Sequence, residues 1–282
     1  MSQGPVAILG AGTQGRRLAY MWSSCGSPVH LIDRDPAQLE GAKLAFERFK
    51  QDGVVKDHKG GELRAFLAED KESAFEGVWL VVECVPESLN LKRTVLKELD
   101  GAVDKDAIIA SNSSSYTITE IMEGVKLSHP ERFVSLHSYW PPETPAIEVM
   151  PSAVTRDSIV PLLMQECKNH SFSPYHVKKS STGYIYNRIW AAIKREALYV
   201  AAEGVASPEE IDAIYKDVLK TPKGPFEQMD IVGLDVVNDI EQHYADERGG
   251  LPEAPRELLK GMIKEGKLGV KTGEGFYKYD GE

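Results

Sequence analysis

The sequence predicts a doubly wound α/β sheet followed by an all-helical C-terminal domain, and three observations carry this reading. A glycine-rich turn joins the first apolar strand to the first helix. Apolar runs then alternate with helical periods, and beyond about residue 180 only helical periods remain. Alternating strands and helices need right-handed crossovers, which lay the strands parallel and cover both faces of the sheet.

The opening PVAILGAGTQGRRLAYMW runs from a short strand into Gly10, Gly12 and Gly15 and then into a helix. This is G-x-G-x-x-G in the strand-to-helix setting of a Rossmann-type dinucleotide site. Gly10 permits the tight turn, Gly12 lets the backbone approach a pyrophosphate, and Gly15 lets the helix pack closely on the strand. The pyrophosphate belongs at the helix N-terminus, where free N–H groups and the helix dipole favour an anion. Glycines at this spacing also mark ordinary tight turns. A second strand, VHLID, supplies the independent match, because it ends in Asp33 about twenty residues on, where the adenosine ribose should lie. An Asp there accepts from the ribose 2′-hydroxyl and repels a 2′-phosphate, so NAD is expected over NADP. Arg34 is either a solvated charge or a guanidinium able to hold that phosphate.

VWLVVECV and AIIAS read as strands covered on both faces, separated by a helix with Leu89, Leu91, Val95, Leu96 and Leu99 in period. RFVSLHS is a further strand and AIEVM its return. Ligands of such sheets lie beyond the carboxyl ends of the strands, so Ser111 to Ser115 and His137 are expected at the mouth. In the helical region Ile185, Ile189, Ile193, Ala197 and Val200 form an apolar stripe. Gly204 stops that helix, and Ser207, Pro208 and Glu210 start the next with a capping box. GPFEQMDIVGLDVVNDI and APRELLKGMIKEGKLG supply further helices. The expected domains are residues 1–179, the dinucleotide-binding part, and 180–282, which completes a substrate cleft or makes a dimer.

A formal net charge of -10 argues against nucleic acid and gives no general attraction for a polyanionic ligand. No window reaches transmembrane length and nothing suggests export, so a cytoplasmic protein is expected with no membrane partner. Cys25, Cys84 and Cys167 are widely spaced beside apolar residues. They read as buried free thiols rather than as a disulfide or metal site, and no metal is expected.

His137 ends a strand and Glu148 lies on the return strand. A carboxylate that fixes the tautomer of a histidine and stabilises its imidazolium makes a general base, although a strand-end histidine is also a common structural hydrogen bonder. Ser114 either holds a substrate hydroxyl or caps the helix that follows. Asn187 reads as a pocket residue or a helix-end cap, and Lys271 as a ligand contact or a solvated turn charge.

Taken together, VVECVPESLNLKRTVLKELD, ASNSSSYTITEI, LHSYWPPETPAIEV, GYIYNRIWAAIKREAL, EGVASPEEID, KGPFEQMDIVGLD and GKLGVKTGEGFYKY resemble the L-3-hydroxyacyl-CoA dehydrogenase family over nearly the full chain. The resemblance implies that His137 is the general acid/base and Glu148 its orienting group. It places Ser114 at the reacting oxygen and the nicotinamide end, and makes Asn187 complete the pocket. It implies cofactor contacts at Glu87, Lys92 and Lys271, a homodimer made by the C-terminal helices, and a place in fatty acid metabolism. The implied reaction moves hydride from a secondary alcohol beta to a carbonyl onto NAD while His137 takes the proton.

Two departures bear on the substrate. Family members usually follow the histidine with Phe-Phe-Asn-Pro, whereas HSYWPPE puts Trp140 where the asparagine is expected and is closer to the gulonate dehydrogenase and lambda-crystallin branch. The helical segment after Asp33, which supports coenzyme A in the family, is shortened. Phe49 falls where a coenzyme-contacting serine belongs, although Lys50, Lys56 and Lys59 offer a local basic patch. The alternatives are therefore a dehydrogenase of a non-CoA hydroxy acid (gulonate- or carnitine-like) or of a specialised carbonyl or imine substrate, and a non-catalytic NAD-binding structural or sensing dimer.

Overall fold

The computed structural model describes residues 4–279, so the first three and last three residues of the expected domains lie outside the described residues. The chain divides into two compact units between Tyr184 and Ile185.

The first unit is built on one eight-stranded sheet. Its strands are β1 (Val6–Leu9), β2 (Val29–Asp33), β3 (Leu63–Leu67), β4 (Leu80–Glu83), β5 (Ile108–Ser111), β6 (Phe133–Trp140), β7 (Thr144–Pro151) and β8 (Ser173–His176). Their order is β3-β2-β1-β4-β5-β6-β7-β8. All neighbours from β3 to β6 are parallel, β7 runs antiparallel to β6, and β8 is parallel to β7. The order 3-2-1-4-5-6 is the expected double winding, with its switch point between β1 and β4, where ligands of open sheets collect.

Strand periodicity explains why the central strands are apolar throughout. Ile8, Leu31 and Val82 face a core closed by α1 (Thr13–Trp22), α2 (Pro36–Asp52) and α6 (Ile159–Asn169), through Leu18, Phe46 and Leu163 among others. Ala7, Val81 and Ile109 face the opposite core, closed by α4 (Leu89–Ala102) and α5 (Ile118–Met122) through Leu96, Leu99 and Ile121. Both faces are buried, so both sets of alternate residues are apolar. The short α3 (Lys71–Ala74) follows β3.

Two glycines of the glycine-rich turn are required by the fold itself. Gly10 has φ +107, and a Cβ on it would lie 2.7 Å from the Cys84 carbonyl oxygen. A Cβ on Gly15 would lie 1.7 Å from the Gly10 carbonyl oxygen, so α1 sits directly on the turn. Around Gly12, by contrast, an added Cβ meets nothing within 4 Å.

The second unit consists of α7 (Tyr186–Ala202), α8 (Pro208–Leu219), α9 (Pro225–Val232), α10 (Leu234–Arg248) and α11 (Ala254–Lys264). Its core gathers Leu198, Phe226, Met229, Leu234, Val237 and Leu259. The capping box of Ser207 and Glu210 opens α8 as expected. The segment GPFEQMDIVGLDVVNDI is two helices, because Gly233 takes φ +100 between them.

The expected stripe on α7 needs correction. Its buried residues are Ala191, Lys194, Ala197 and Leu198, while Ile185 and Ile189 are 41% and 54% exposed. α7 packs against α9 and α11, with Leu198 in the shared core, and Arg195 pairs with the buried Glu241 at 2.7 Å. The thiols also differ from expectation, since only Cys167 is fully buried and Cys25 and Cys84 are half-buried. No helix of the described residues is long and apolar enough to cross a membrane.

The two glycine sites should separate in stability. Gly15→Ala is expected to cost about 1–3 kcal/mol or more through the backbone clash, and Gly12→Ala less than about 1 kcal/mol; urea denaturation reads both.

Candidate active site

The register of β6 against β7 makes the site. His137 and Glu148 are directly opposed in this antiparallel pair, so their side chains leave the same face of the sheet. His137 Nδ1 lies 3.2 Å from Glu148 Oε2, and both residues are buried. An ionised carboxylate only accepts, so Nδ1 carries the hydrogen and Nε2 is left with its lone pair. That is the tautomer a general base needs.

His137 also projects beyond the parallel sheet. The pairing of β5 with β6 ends at Ser111 and Ser135, and the rest of β6 overhangs the carboxyl edge with only β7 beside it. Asn112 replaces the missing strand: its Oδ1 accepts from the Ser138 backbone N–H and from the Ser138 hydroxyl, each at 2.8 Å. The imidazole lies between two tyrosine rings, stacked on Tyr184 at 4.8 Å and edge-on to Tyr139 at 4.7 Å. Tyr184 donates to the Ser113 carbonyl at 2.8 Å, and burial pushes its hydroxyl up, so it stays protonated.

Below the mouth lies a buried polar bed. Glu83 ends β4 fully buried and accepts from Lys92 Nζ at 2.8 Å, from the Ser111 hydroxyl at 2.7 Å and from the Val85 backbone N–H at 2.7 Å. Lys92 Nζ also meets Glu87 Oε2 at 3.2 Å and the Val85 carbonyl at 3.2 Å, so its three N–H donors have three acceptors. Burial works against the Lys92 ammonium, but Glu83 and Glu87 more than reverse this and hold its pKa above the ordinary lysine value. For Glu87, burial works to raise the carboxyl. Lys92 beside it, with hydrogen bonds from Ser113 and Ser115, outweighs that and holds it below the usual carboxylate range.

The row of hydroxyls from Ser111 to Ser115 is thus mostly structural. Ser111 serves Glu83, while the Ser113 hydroxyl donates to Glu87 at 2.5 Å and the Ser115 backbone N–H donates to it at 2.9 Å. Ser114 alone among the four serines is exposed. It does not cap the next helix, because Thr117 and Glu120 form the capping box of α5.

On the other side of the switch point the features fit a dinucleotide. Gly12, the N-cap of α1, has no side chain to occupy the first N–H groups of that helix, and the space beside it is open. Asp33 braces the turn: Oδ2 accepts from the Ala11 N–H at 2.7 Å and Oδ1 from the Asp35 N–H at 2.9 Å. A carboxylate has further lone pairs for a ribose hydroxyl. Arg34 beside it is exposed. A cavity of about 90 Å³ lies against the ends of β1 and β2, lined by Leu9, Ile32, Phe75, Val95 and Leu99 together with the charged Lys71 and Glu98.

Asn187 and Lys271 belong to the second unit. Asn187 is in the first turn of α7, whose N-cap is Ile185, so it stands inside the helix and does not cap it. Lys271 pairs with Asp235 at 2.5 Å, both about half exposed, and the Lys271 hydrogen bond is the first cause holding the Asp235 carboxyl low.

Comparison with known proteins places this architecture. Residues 5–180 match the family model described as 3-hydroxyacyl-CoA dehydrogenase, NAD binding domain, and residues 183–279 match its C-terminal domain. The chain belongs to the 3-hydroxyacyl-CoA dehydrogenase family. It is 31% identical over 284 residues to a 3-hydroxybutyryl-CoA dehydrogenase of Clostridioides difficile, covering 98% of this chain and 99% of that one. It is 32% identical to a 5-formyl-3-hydroxy-2-methylpyridine 4-carboxylate 5-dehydrogenase of Mesorhizobium japonicum, covering 98% and 91%. A crystal structure of an (S)-3-hydroxybutyryl-CoA dehydrogenase from Ralstonia eutropha matches with a TM-score of 0.87 at 30% identity, covering 99% of this chain and all of that one. As a member of the 3-hydroxyacyl-CoA dehydrogenase family, this chain is an NAD-dependent oxidoreductase acting on CH–OH groups.

Several residues that shape the site were not anticipated from the sequence. Glu83 had one signal, as the only charge in the run VWLVVECV. Gln14 and Tyr184 had none, because their partners are remote in sequence; Asn112 lies in the row expected at the mouth but without a role of its own, and Tyr139 was passed over although its partner Glu148 is on the return strand. Gln14 Nε2 donates to the Tyr139 carbonyl at 2.6 Å, tying the dinucleotide turn to the overhang of β6. Arg17 fixes the turn after β6, stacked over Trp140 at 4.1 Å and donating to the Pro141 carbonyl at 2.7 Å and to Glu143 at 2.5 Å. Its guanidinium also lies 5.3 Å from the Phe49 ring. Trp140, which replaces the family's asparagine, therefore belongs to an Arg17-centred cluster and is 47% exposed.

The buried pair gives a direct expectation. Lys92→Met leaves Glu83 buried without its cation and is expected to cost about 3–5 kcal/mol. Adding Glu83→Gln should recover part of the loss, as read by urea denaturation of the two variants.

Proposed function

We propose that this chain interconverts a 3-hydroxyacyl substrate, an L-3-hydroxyacyl-CoA in the leading reading, and its 3-oxo form, with His137 as the general acid/base. The observation that carries the proposal is the cross-strand pairing of His137 with Glu148, which leaves Nε2 as the acceptor. In oxidation His137 Nε2 accepts the proton of the substrate hydroxyl; in reduction it returns that proton to the oxygen. Glu148 holds the ring and stabilises the imidazolium, more strongly for being buried than it would in water. NAD, when bound, supplies the hydride acceptor or donor. Ser114, exposed at the mouth, positions the reacting oxygen, and Asp33, Glu87 and the turn of Gly10, Gly12 and Gly15 hold the cofactor. Lys92 acts by holding Glu87. The roles given to Asn187 and Lys271 rest on the family alone.

Residues 1–179 are the cofactor-binding domain in this proposal, and residues 180–282 serve the substrate and a homodimer. Exposed Ile214 and Val218, one turn apart on α8, support self-association, as does the exposed pair Ile185 and Ile189 at α7. A cytoplasmic place in fatty acid metabolism follows from the same reading.

A second reading keeps the chemistry and changes the substrate to a free hydroxy acid or a specialised carbonyl compound. It is favoured by the Trp140–Arg17 cluster and by α2, a single helix ended by Gly53 with no further helix before β3. The Mesorhizobium relative, whose name specifies a pyridine carboxylate, points the same way.

Rates of NADH oxidation with acetoacetyl-CoA and with free beta-keto acids test both readings. Saturable turnover of acetoacetyl-CoA is expected, lowered about 10²–10⁴-fold by His137→Gln with NADH binding retained. Turnover confined to the free acids would replace the first reading by the second, and a His137→Gln rate equal to wild type would remove both.

A further inference from the structure

Glu148 Oε2 serves two donors. His137 Nδ1 lies 3.2 Å from it, and the Tyr139 hydroxyl donates to the same oxygen at 2.6 Å. Each hydrogen bond to an anion draws off charge and weakens what the anion offers elsewhere. The phenol makes the shorter of the two contacts.

Tyr139 is held in place for this. Its ring is edge-on to His137, its carbonyl accepts from Gln14, and the turn that follows is clamped by Arg17. The groups acting on this small set come from every side of it. Glu148 approaches from β7, and Tyr184 covers the other face of the imidazole. The carboxylates of Glu87 and Glu120 act on the Tyr184 hydroxyl, and the charge of Arg17 is met by Glu143.

We infer that Tyr139 is a positioning residue that moderates the catalytic pair: its phenol competes with His137 for the same Glu148 oxygen. The inference rests on the reading of His137 as the acid/base. Without the phenol, Glu148 supports the imidazolium more strongly and His137 gives up its proton less readily. Hydroxyl oxidation needs the neutral imidazole, so as the pH is lowered its rate begins to fall sooner, at a higher pH than in the wild type.

Tyr139→Phe keeps the ring and removes the donor. The acid limb of the pH profile of kcat/KM for hydroxyl oxidation is expected to move up by about half a unit to one unit, the scale of one hydrogen bond to an anion. A site-specific 3-fluorotyrosine at position 139, a stronger donor, should move it down. NMR titration of the His137 ring in the same proteins gives a readout that needs no turnover. An upward midpoint in Tyr139→Phe with a downward one in the fluorinated protein supports the inference, and a midpoint that is unchanged or lower in Tyr139→Phe overturns it. If the ring midpoint moves while the rate profile does not, the coupling stands and the role of His137 as the reacting acid/base falls.

Discussion

An antiparallel strand laid on the edge of a parallel sheet is the constraint from which the rest of this site follows. Side chains alternate along a strand, so slipping β7 by one residue against β6 would send Glu148 to the opposite face and leave the imidazole without its carboxylate. The parallel strands end at the level of Glu83, Ser111 and Ser135, and β6 runs on past them. That overhang carries His137 above the carboxyl edge, where ligands of such sheets lie. Asn112 bonds the overhang where β5 has ended, and Gln14 joins it to the glycine-rich turn. The glycine-rich start of α1 and the strand end that carries His137 are thereby held in one framework.

The same edge concentrates buried polarity. Glu83 and Lys92 are costly to desolvate, and a pair of this kind is weak support for stability by itself. Its use here is geometric: Lys92 binds Glu83, Glu87 and the Val85 carbonyl, and those carboxylates fix Ser111, Ser113 and Ser115. The loop is thus organised from below, and Ser114 is left facing outward. The hydroxyl row after β5 is mostly a set of fasteners.

Much of this was legible in the sequence because the governing interactions are local. Three glycines, a strand before them and Asp33 after the next strand are short-range features; Gly10 and Gly15 sit in the tight turn and the close helix–strand packing that their spacing implied, and Asp33 lies beside that turn. His137 and Glu148 were legible as strand end and return strand. The edge strands were not: β3 contains the charged Arg64, and β8 is the four residues Ser173–His176 with a proline, so neither shows apolar alternation. The inner face of α7 was misjudged because the regular aliphatic spacing of Ile185 and Ile189 marks an exposed side, while Ala191, Lys194, Ala197 and Leu198 are the residues buried. Glu83, Asn112 and Tyr139 gain their meaning from partners across the sheet, which spacing along one segment does not reveal.

The central claim is that the Glu148-braced imidazole presents Nε2 to the reacting hydroxyl. A crystal structure of the protein with NAD+ and a non-reacting 3-hydroxyacyl analogue tests it most directly. The analogue's hydroxyl oxygen is expected within about 2.6–3.2 Å of His137 Nε2, with Nδ1 still on Glu148. A hydroxyl bound elsewhere, or an imidazole turned so that Nε2 faces protein, would contradict the account.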